Sequence, residues 1–307
     1  MVQPIAIALL AALLASGVAL AQPATEANTE APKTEAPKTE APNDAPKTET
    51  PAVEPLKTGD DKYAPEVGQS GKDVIWVPTP QNIVDGMLDM AEAKPGDYVI
   101  DLGSGDGRTV ITAAKRGIRA LGIEYNPNMV ELSRRNAAKE GVAERARFVR
   151  GDIFKTDFSK ATVLTLYLLP RLNIRLRPTI LKMRPGTRVS SHSFTMDDWE
   201  ADDGINSAGE KCKEHCSAYF WVVPARVAGT WRIAQGTLRL EQKFQKFTGT
   251  LRSGGQTLKI EDGRVRGEAI SFTAGGVKYE GTVKGKRINV KEVKAVAAVG
   301  KGSAVRS

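Results

Sequence analysis

Apolar and polar positions in the middle of the chain alternate between two periods. Between residues 63 and 233, short runs of β-branched and apolar residues alternate with segments whose apolar residues recur every three to four positions. A helix is predicted to begin at Thr79-Pro80, where proline takes the first helical position, and to end before Pro95-Gly96. Strands that alternate with helices are typical of a doubly wound α/β sheet. Further strands are predicted at 97–102, 119–125, 146–152, 162–169 and 188–194, with 217–223 and 229–233 as a closing pair, and further helices at 109–116, 128–140 and 178–183.

The pattern changes after residue 235. Apolar residues alternate singly with polar ones, and the runs are separated by Gly-containing turns such as Ser253-Gly-Gly255 and Ala274-Gly-Gly276. These are hairpin signals. They predict a small antiparallel all-β module over residues 236–296, either a meander or a partial barrel, with a disordered tail at 297–307.

The N-terminus carries an apolar segment followed by a repeat. Residues 5–21 are uncharged and end in Ala19-Leu20-Ala21, the small-x-small pattern that precedes signal-peptide cleavage. We expect a signal peptide at 1–21 and export, to the bacterial periplasm; the alternative is an uncleaved N-terminal membrane anchor. Residues 22–60 repeat a Thr-Glu-Ala-Pro-Lys unit, whose frequent prolines and lack of apolar side chains predict a disordered linker. The α/β domain is therefore expected over residues 61–235.

Composition and charge exclude several classes of protein. Two cysteines in 307 residues cannot form a disulfide scaffold, and no apolar run beyond the N-terminus is long enough for a membrane span. The net charge of +8 is concentrated in residues 225–307, which hold 17 basic and 6 acidic side chains. This basic module fits contact with nucleic acid, an anionic membrane surface or an acidic protein, and it fits equally a solvated face without a partner.

The first predicted strand runs into a glycine-rich turn. Asp101 stands at the tip of the strand, followed by glycines at positions 103, 105 and 107, a spacing that lets a ligand approach the backbone closely. A dinucleotide fingerprint requires its third glycine at position 108, which is Arg108. This departure disfavours NAD and FAD.

Three successive strands each end in an acid. Asp101 can receive an ammonium group, Glu124 is placed to bind two ribose hydroxyls, and Asp152 can accept from an adenine amino group. Together they describe a site for a nucleoside that carries a positively charged amino-acid tail.

These residues lie within motifs that resemble a known family. Asp101-Leu-Gly-Ser-Gly-Asp-Gly-Arg108, Gly122-Ile-Glu124-Tyr-Asn-Pro127 and Gly151-Asp152 resemble the first three motifs of class I S-adenosylmethionine-dependent methyltransferases. With Val77-Pro-Thr-Pro80, the closer similarity is to the ATP synthase c-subunit lysine N-methyltransferases, over roughly residues 73–233.

The resemblance implies a Rossmann-like seven-stranded sheet, S-adenosyl-L-methionine as cofactor, and methylation of a lysine on a protein substrate. It also implies which residues contact the cofactor. At the methionine moiety these are Asp101, Gly103, Ser104, Gly105 and Gly107; Glu124 is at the ribose and Asp152 is near the adenine.

Candidate catalytic residues follow the fourth and fifth strands. Tyr167 is either part of the methyl-transfer channel or a tyrosine packed in the sheet, and His192 is either close to the reacting amine or a hydrogen-bonded strand-end residue. A dedicated base is not required, because a dry channel itself lowers the pKa of a lysine amine. Trp76 either covers the cofactor or fixes the entry of the first helix.

A short cysteine and histidine cluster does not predict a metal site. Cys212, His215 and Cys216 supply three ligands without a fourth, so we expect no metal, and the two cysteines are left as either paired or free. Two alternative functions stay open: a non-catalytic exported binding protein that retains the fold, and a nucleic-acid methyltransferase that uses the basic module.

Overall fold

The structure is a computed structural model that describes residues 63–207 and 215–293. The predicted signal peptide, the predicted linker and nearly all of the C-terminal tail lie outside these residues. Within the described ranges no helix combines the length and the apolar character needed to cross a membrane. The described strands form two seven-stranded sheets.

The first sheet is the predicted α/β sheet. Its strands lie in the order β3-β2-β1-β4-β5-β7-β6, with β7 antiparallel to its neighbours and the other paired strands parallel. The strand order reverses between β1 and β4, which is the point where open α/β sheets bind ligands at their carboxyl edge. The strands are β1 Tyr98–Leu102, β2 Arg119–Glu124, β3 Ala146–Arg150, β4 Val163–Leu166, β5 Arg188–His192, β6 Asp203–Asn206 and β7 Ser217–Val222.

Four helices cover this sheet: α1 Gln81–Met90, α2 Arg108–Lys115, α3 Pro127–Lys139 and α4 Pro170–Ile180. The last of them differs from the prediction, which placed a helix only at 178–183. Helix α4 instead begins at Pro170 and buries Leu172, Leu176 and Ile180 at four-residue spacing. Pro178, the residue chosen as a helix start, lies inside its last turn.

The first sheet also closes differently from the prediction, which was wrong here. The strand at 229–233 does not pair with 217–223; β6 takes that place, pairing Asp203–Asn206 with β7. Strand β6 has a half-buried Ile205 as its one apolar residue, so no alternation marks it.

The second sheet is the predicted antiparallel β module, and it is an up-and-down meander in chain order. The side chain of Gln235 donates to the carbonyl of Val290 at 3.3 Å, which joins the first hairpin of the module to its last strand. A core that includes Phe247, Leu251 and Phe272 fills the interior. Its strands are β8 Gly229–Ile233, β9 Gly236–Lys243, β10 Lys246–Ser253, β11 Gln256–Arg266, β12 Ala269–Ala274, β13 Val277–Lys284 and β14 Arg287–Val293.

A row of ion pairs links the module to the first sheet. Lys243, Lys246 and Arg264 are cross-strand neighbours on β9, β10 and β11, and each pairs with an acid of the segment between β5 and β6. The pairs are Lys243–Asp198 at 3.1 Å, Lys246–Glu200, and Arg264–Asp202 at 2.7 Å.

Apolar contacts strengthen the same junction. Phe244 stacks on Trp199 with ring centroids 5.9 Å apart, and the short connection from β7 to β8 buries Val223 and Val227 completely. The amide of Ala225 donates to the carbonyl of Gly267 at 2.8 Å. The module is therefore packed against the α/β sheet through apolar contacts as well as through charges.

Candidate active site

A cleft of about 340 Å³ opens at the carboxyl edge of the first sheet. Its walls come from the ends of the central strands and from residues 69–79, which precede α1. Gly107 and His192 lie outside the lining. The predicted site residues that line the cleft are Asp101, Gly103, Ser104, Gly105, Glu124, Asp152 and Tyr167.

The glycine turn takes the shape that its sequence requires. Gly103, Gly105 and Gly107 have φ of +79°, +52° and +84°, a left-handed region that other residues enter at a cost. Gly107 is the N-cap of α2, where a Cβ atom would lie 2.8 Å from the ring of Phe148. A Cβ atom on Gly105 would lie 2.7 Å from the indole nitrogen of Trp76. The turn thus presents bare backbone to the cleft, with Trp76 lying against it.

Asp101 is buried at the floor of the cleft. Thr165 on β4 donates to its carboxylate at 2.6 Å. Burial, reinforced by the charges of Glu124 and Asp106, raises the pKa of Asp101 to about 7, although the Thr165 hydrogen bond opposes the shift. A bound cation at this position would restore the charged carboxylate.

Glu124 is held by the backbone around it. One carboxylate oxygen accepts from the amide of Gly105 at 3.0 Å and the other from the amide of Asn126 at 2.9 Å. Each oxygen keeps a further acceptor site for a hydroxyl. Nearby, the buried hydroxyl of Ser104 has no hydrogen-bond partner among the described residues, as is common at the wall of a ligand site.

Asp152 faces a lysine that no sequence pattern singled out. The Lys72 ammonium lies 2.8 Å from the Asp152 carboxylate and 4.7 Å from the ring centroid of Tyr125. The hydrogen bond from Lys72, with one from the amide of Phe154, lowers the pKa of Asp152. Lys72 belongs to a segment without helical or strand periodicity, which is why the prediction did not include it.

The segment that carries Lys72 folds over the cleft as a small hairpin. The amide of Gly68 donates to the carbonyl of Trp76, and the amide of Trp76 donates to the carbonyl of Gln69. The Arg171 side chain on α4 donates to the carbonyl of Asp73 at 2.6 Å. Backbone pairing therefore holds Trp76 against the glycine turn.

Arg108 explains the departure from the dinucleotide fingerprint. Its guanidinium binds the Asp106 carboxylate through two nitrogens and donates to the carbonyl of Thr79 at 2.8 Å. The side chain that replaces the third glycine thus ties the glycine turn to the segment that leads into α1.

His192 is buried behind the cleft wall and uses both ring nitrogens. Nε2 faces the carbonyl of His215, which can only accept, so Nε2 carries the proton. Nδ1 is then the acceptor for the Thr79 hydroxyl at 3.1 Å. Burial lowers the pKa of His192 to about 4. His192 is therefore a neutral, hydrogen-bonded strand-end residue that holds the backbone of His215.

Three rings meet at the other end of the cleft. The centroids of Tyr167 and Phe194 are 6.1 Å apart, those of Tyr167 and His215 are 6.5 Å apart, and those of Phe194 and His215 are 6.0 Å apart. All three side chains line the cavity. We call Tyr167, Phe194 and His215 the aromatic trio. Phe194 and His215 were missed as site residues, because separate strands carry them and only the sheet order brings them together.

The sheet order divides the cleft into two halves. Asp152, Glu124 and Asp101 lie at the ends of β3, β2 and β1, on one side of the switch point. The aromatic trio follows or precedes β4, β5 and β7, on the other side. One half is acidic and the other is aromatic.

The cysteine and histidine cluster is only partly described. Cys216 is disulfide-bonded, and Cys212 lies outside the described residues. Across residues 63–207 and 215–293, no group of three or more His, Cys, Asp and Glu side chains is arranged to hold a metal ion.

The acidic half fits S-adenosylmethionine by its donor and acceptor set. Asp101 can accept the ammonium group, Glu124 the ribose hydroxyls and Asp152 the adenine amino group, while the Ser104 hydroxyl and the bare glycine backbone leave room and donors beside them. A seven-stranded sheet with one antiparallel strand and this site defines a class I S-adenosylmethionine-dependent methyltransferase.

Comparison with known proteins specifies the family. Residues 101–203 match the model of the ANTKMT methyltransferase domain. A protein-lysine N-methyltransferase from Saccharolobus islandicus is 43% identical over 135 residues, which cover 43% of this chain and 84% of that protein. The human ATP synthase c-subunit lysine N-methyltransferase is 34% identical over 128 residues, 41% of this chain and 54% of that protein. The chain belongs to this family of protein-lysine N-methyltransferases.

The similarity covers different shares of the relatives. The chain spans about half the length of the vertebrate ATP synthase c-subunit methyltransferases that it matches. Among solved structures, an RNA methyltransferase from Salinibacter ruber in complex with S-adenosyl-L-homocysteine is 44% identical, with a TM-score of 0.46, and the match covers 49% of this chain and 96% of that one.

Proposed function

We propose that the protein transfers a methyl group from S-adenosylmethionine to the side-chain amine of a lysine on a protein substrate. The observation that carries the proposal is the division of one cleft into an acidic half and an aromatic half. The name of the archaeal relative, which is 43% identical over most of its own length, supports lysine as the acceptor.

The acidic half holds the cofactor. Asp101 pairs with the ammonium group of its amino-acid tail, Glu124 binds the ribose and Asp152 the adenine amino group, in the order of the strand ends. When bound, S-adenosylmethionine supplies a methyl group on a positively charged sulfonium, ready for attack by a lone pair. The protein contributes the alignment of the two reactants and the exclusion of water.

The aromatic half receives the lysine and makes its amine reactive. A lysine amine attacks only after losing its proton, and a weakly polar wall favours the neutral amine because burial disfavours charge. His192 does not act as the base, since both of its nitrogens are engaged and its pKa is about 4. The proton leaves to water before the amine enters the cleft.

The location of the reaction is a second part of the proposal. Ala19-Leu20-Ala21 supports cleavage before Gln22 and export to the periplasm. The disulfide at Cys216 fits an oxidising compartment. N-terminal sequencing of the protein purified from its native envelope should begin at Gln22; an intact Met1 would favour the uncleaved anchor instead.

Two measurements test the activity. Calorimetry should show binding of S-adenosylmethionine to the purified protein, and both Asp101→Ala and Glu124→Ala should abolish it. Incubation with methyl-labelled cofactor and envelope proteins, followed by acid hydrolysis, should yield labelled methyl-lysines. Label on added RNA but not on lysine, or binding without any transfer, would overturn the proposal.

A further inference from the structure

The geometry points to a binding site for the side-chain ammonium of the target lysine, formed by the aromatic trio of Tyr167, Phe194 and His215. We propose that this site prefers an ammonium group that already carries methyl groups. The inference deepens the proposed lysine methylation and rests on it, because the trio lies in the half of the cleft assigned to the acceptor.

Tyr167 fixes the position of the trio relative to the rest of the site. Thr165 donates to Asp101, and Tyr167 lies two residues further along the chain, so that both side chains point to the same side of the sheet. Asp152 follows β3, three strands away from β4 in the sheet order. The trio is therefore beside the end of the site where the amino-acid tail is expected, and remote from the adenine end.

The spacing of the rings suits a cation. A cation gains from an aromatic face when it lies within about 6 Å of the ring centroid. Because the three centroids are 6.0 to 6.5 Å from one another, a group seated between them lies within that distance of all three. The three side chains line an open cavity, and Tyr167 and Phe194 are half-buried.

Two strained residues hold the rings in place. Ser193 and His215 have φ of +64° and +55°, which is costly for residues other than glycine. The Ser193 hydroxyl and His215 Nδ1 lie 2.8 Å apart, and His192 binds the backbone carbonyl of His215. Several independent contacts therefore fix an unfavourable backbone at the positions that present Phe194 and His215.

Ring faces discriminate between ammonium groups. A free ammonium keeps three N–H donors that are best satisfied by water or a carboxylate. Each methyl group replaces one donor by an apolar surface that still carries part of the positive charge, and aromatic cages recognise quaternary ammonium groups for this reason. A trio without a carboxylate among its members therefore holds methylated lysine better than free lysine.

Binding measurements test the site without relying on turnover. The probes are Nα-acetyl-trimethyl-lysine amide and its uncharged carbon isostere, with tetramethylammonium as the smallest cation, each added to the protein saturated with S-adenosylhomocysteine. We expect upfield shifts of the ligand methyl protons from the ring currents. We also expect roughly fivefold to tenfold tighter binding of the charged ligand than of the isostere.

Variants separate the aromatic contribution from packing. Phe194→Leu keeps an apolar side chain and should remove most of the preference for the charged ligand, whereas Tyr167→Phe and His215→Phe keep a ring and should retain it. Unchanged affinity for S-adenosylhomocysteine shows that each variant is folded. Equal binding of the cation and its isostere to the original protein, or a full preference in Phe194→Leu, would overturn the inference. Methyl transfer to lysine would stand in either case, so the two proposals fail separately.

Discussion

The Arg264 guanidinium of the β module lies 2.7 Å from the Asp202 carboxylate of the α/β sheet. The Asp202 side chain is 2% exposed, whereas that of Arg264 is 45% exposed, so the pair reaches from the surface into the junction. Asp202 also accepts from the amide of Val222 at the end of β7. The basic module thus braces the segment between β5 and β6, which contains Phe194.

Loss of this pair should destabilise the protein. In Arg264→Ala the buried Asp202 carboxylate loses its charged partner, and we expect a loss of about 1–3 kcal/mol in the free energy of unfolding. Arg239→Ala is the matched control, because Arg239 is an exposed cation of the same sheet and lies outside the three pairs. Denaturant unfolding of both variants checks this; equal stabilities would show that the pair contributes nothing.

Cofactor affinity should depend on pH through Asp101. Its pKa of about 7 means that the carboxyl is mostly protonated below neutral pH and cannot pair with an ammonium group. Affinity should therefore rise about tenfold from about pH 5.5 to about pH 7. It should fall again as the α-amino group of the cofactor loses its own proton, near about 7.7–8.0.

Calorimetry across this range, compared with Asp101→Asn, measures the effect. The variant should bind more weakly at neutral pH and should lack the rising limb. A rising limb that persists in Asp101→Asn would assign the titration to another group.

Gly105→Ala should impair cofactor binding more than backbone strain alone explains. The new Cβ atom would approach the Trp76 indole nitrogen at 2.7 Å, so that Trp76 must move from the glycine turn. Gly141 is the control: its φ of +67° is also left-handed, but no atom lies within 4 Å of a Cβ atom there. Both variants should lose about 1 kcal/mol of stability. Only Gly105→Ala should weaken binding, by about tenfold or more, and equal effects on binding would contradict the close contact.

His192 should prove to be a positioning residue. His192→Gln can keep a donor toward the carbonyl of His215, so most of the turnover should remain and the pH dependence of kcat should keep its shape. His192→Ala removes the donor and leaves the carbonyl of His215 without it, which should raise KM for the protein substrate severalfold. A pH limb that disappears in His192→Gln would instead identify this residue as a base.

Lys72 should compete with the cofactor for Asp152. Replacing it by glutamine frees the carboxylate, and affinity for S-adenosylmethionine should increase by up to about fivefold, as is fitting for a partly exposed ion pair worth about 0–1 kcal/mol. Calorimetry at low and high salt checks this, since salt should raise the affinity of the original protein more than that of Lys72→Gln. A weaker affinity in the variant would mean that Lys72 contacts the cofactor itself.

Local patterns were sufficient for one half of the cleft and insufficient for the other. Asp101, Glu124 and Asp152 could be predicted because each ends a strand with a clear apolar pattern, and adjacent parallel strands bring their ends together. Phe194 and His215 were missed because they meet only through the antiparallel insertion of β7 beside β5, which residue spacing does not reveal. Strand β6 and Lys72 were missed for a simpler reason, since neither lies in a segment with a regular apolar pattern.

The division of the cleft along the sheet order also runs along the gene. The acidic half comes from residues 101–152, and the aromatic trio comes from residues 167–215, so the two halves are encoded by consecutive stretches without interleaving. Mutation or recombination within the second stretch can alter the target while the donor site is inherited intact. A chimera that takes residues 153–223 from a relative should therefore acquire the relative's choice of acceptor and keep the cofactor affinity of this chain.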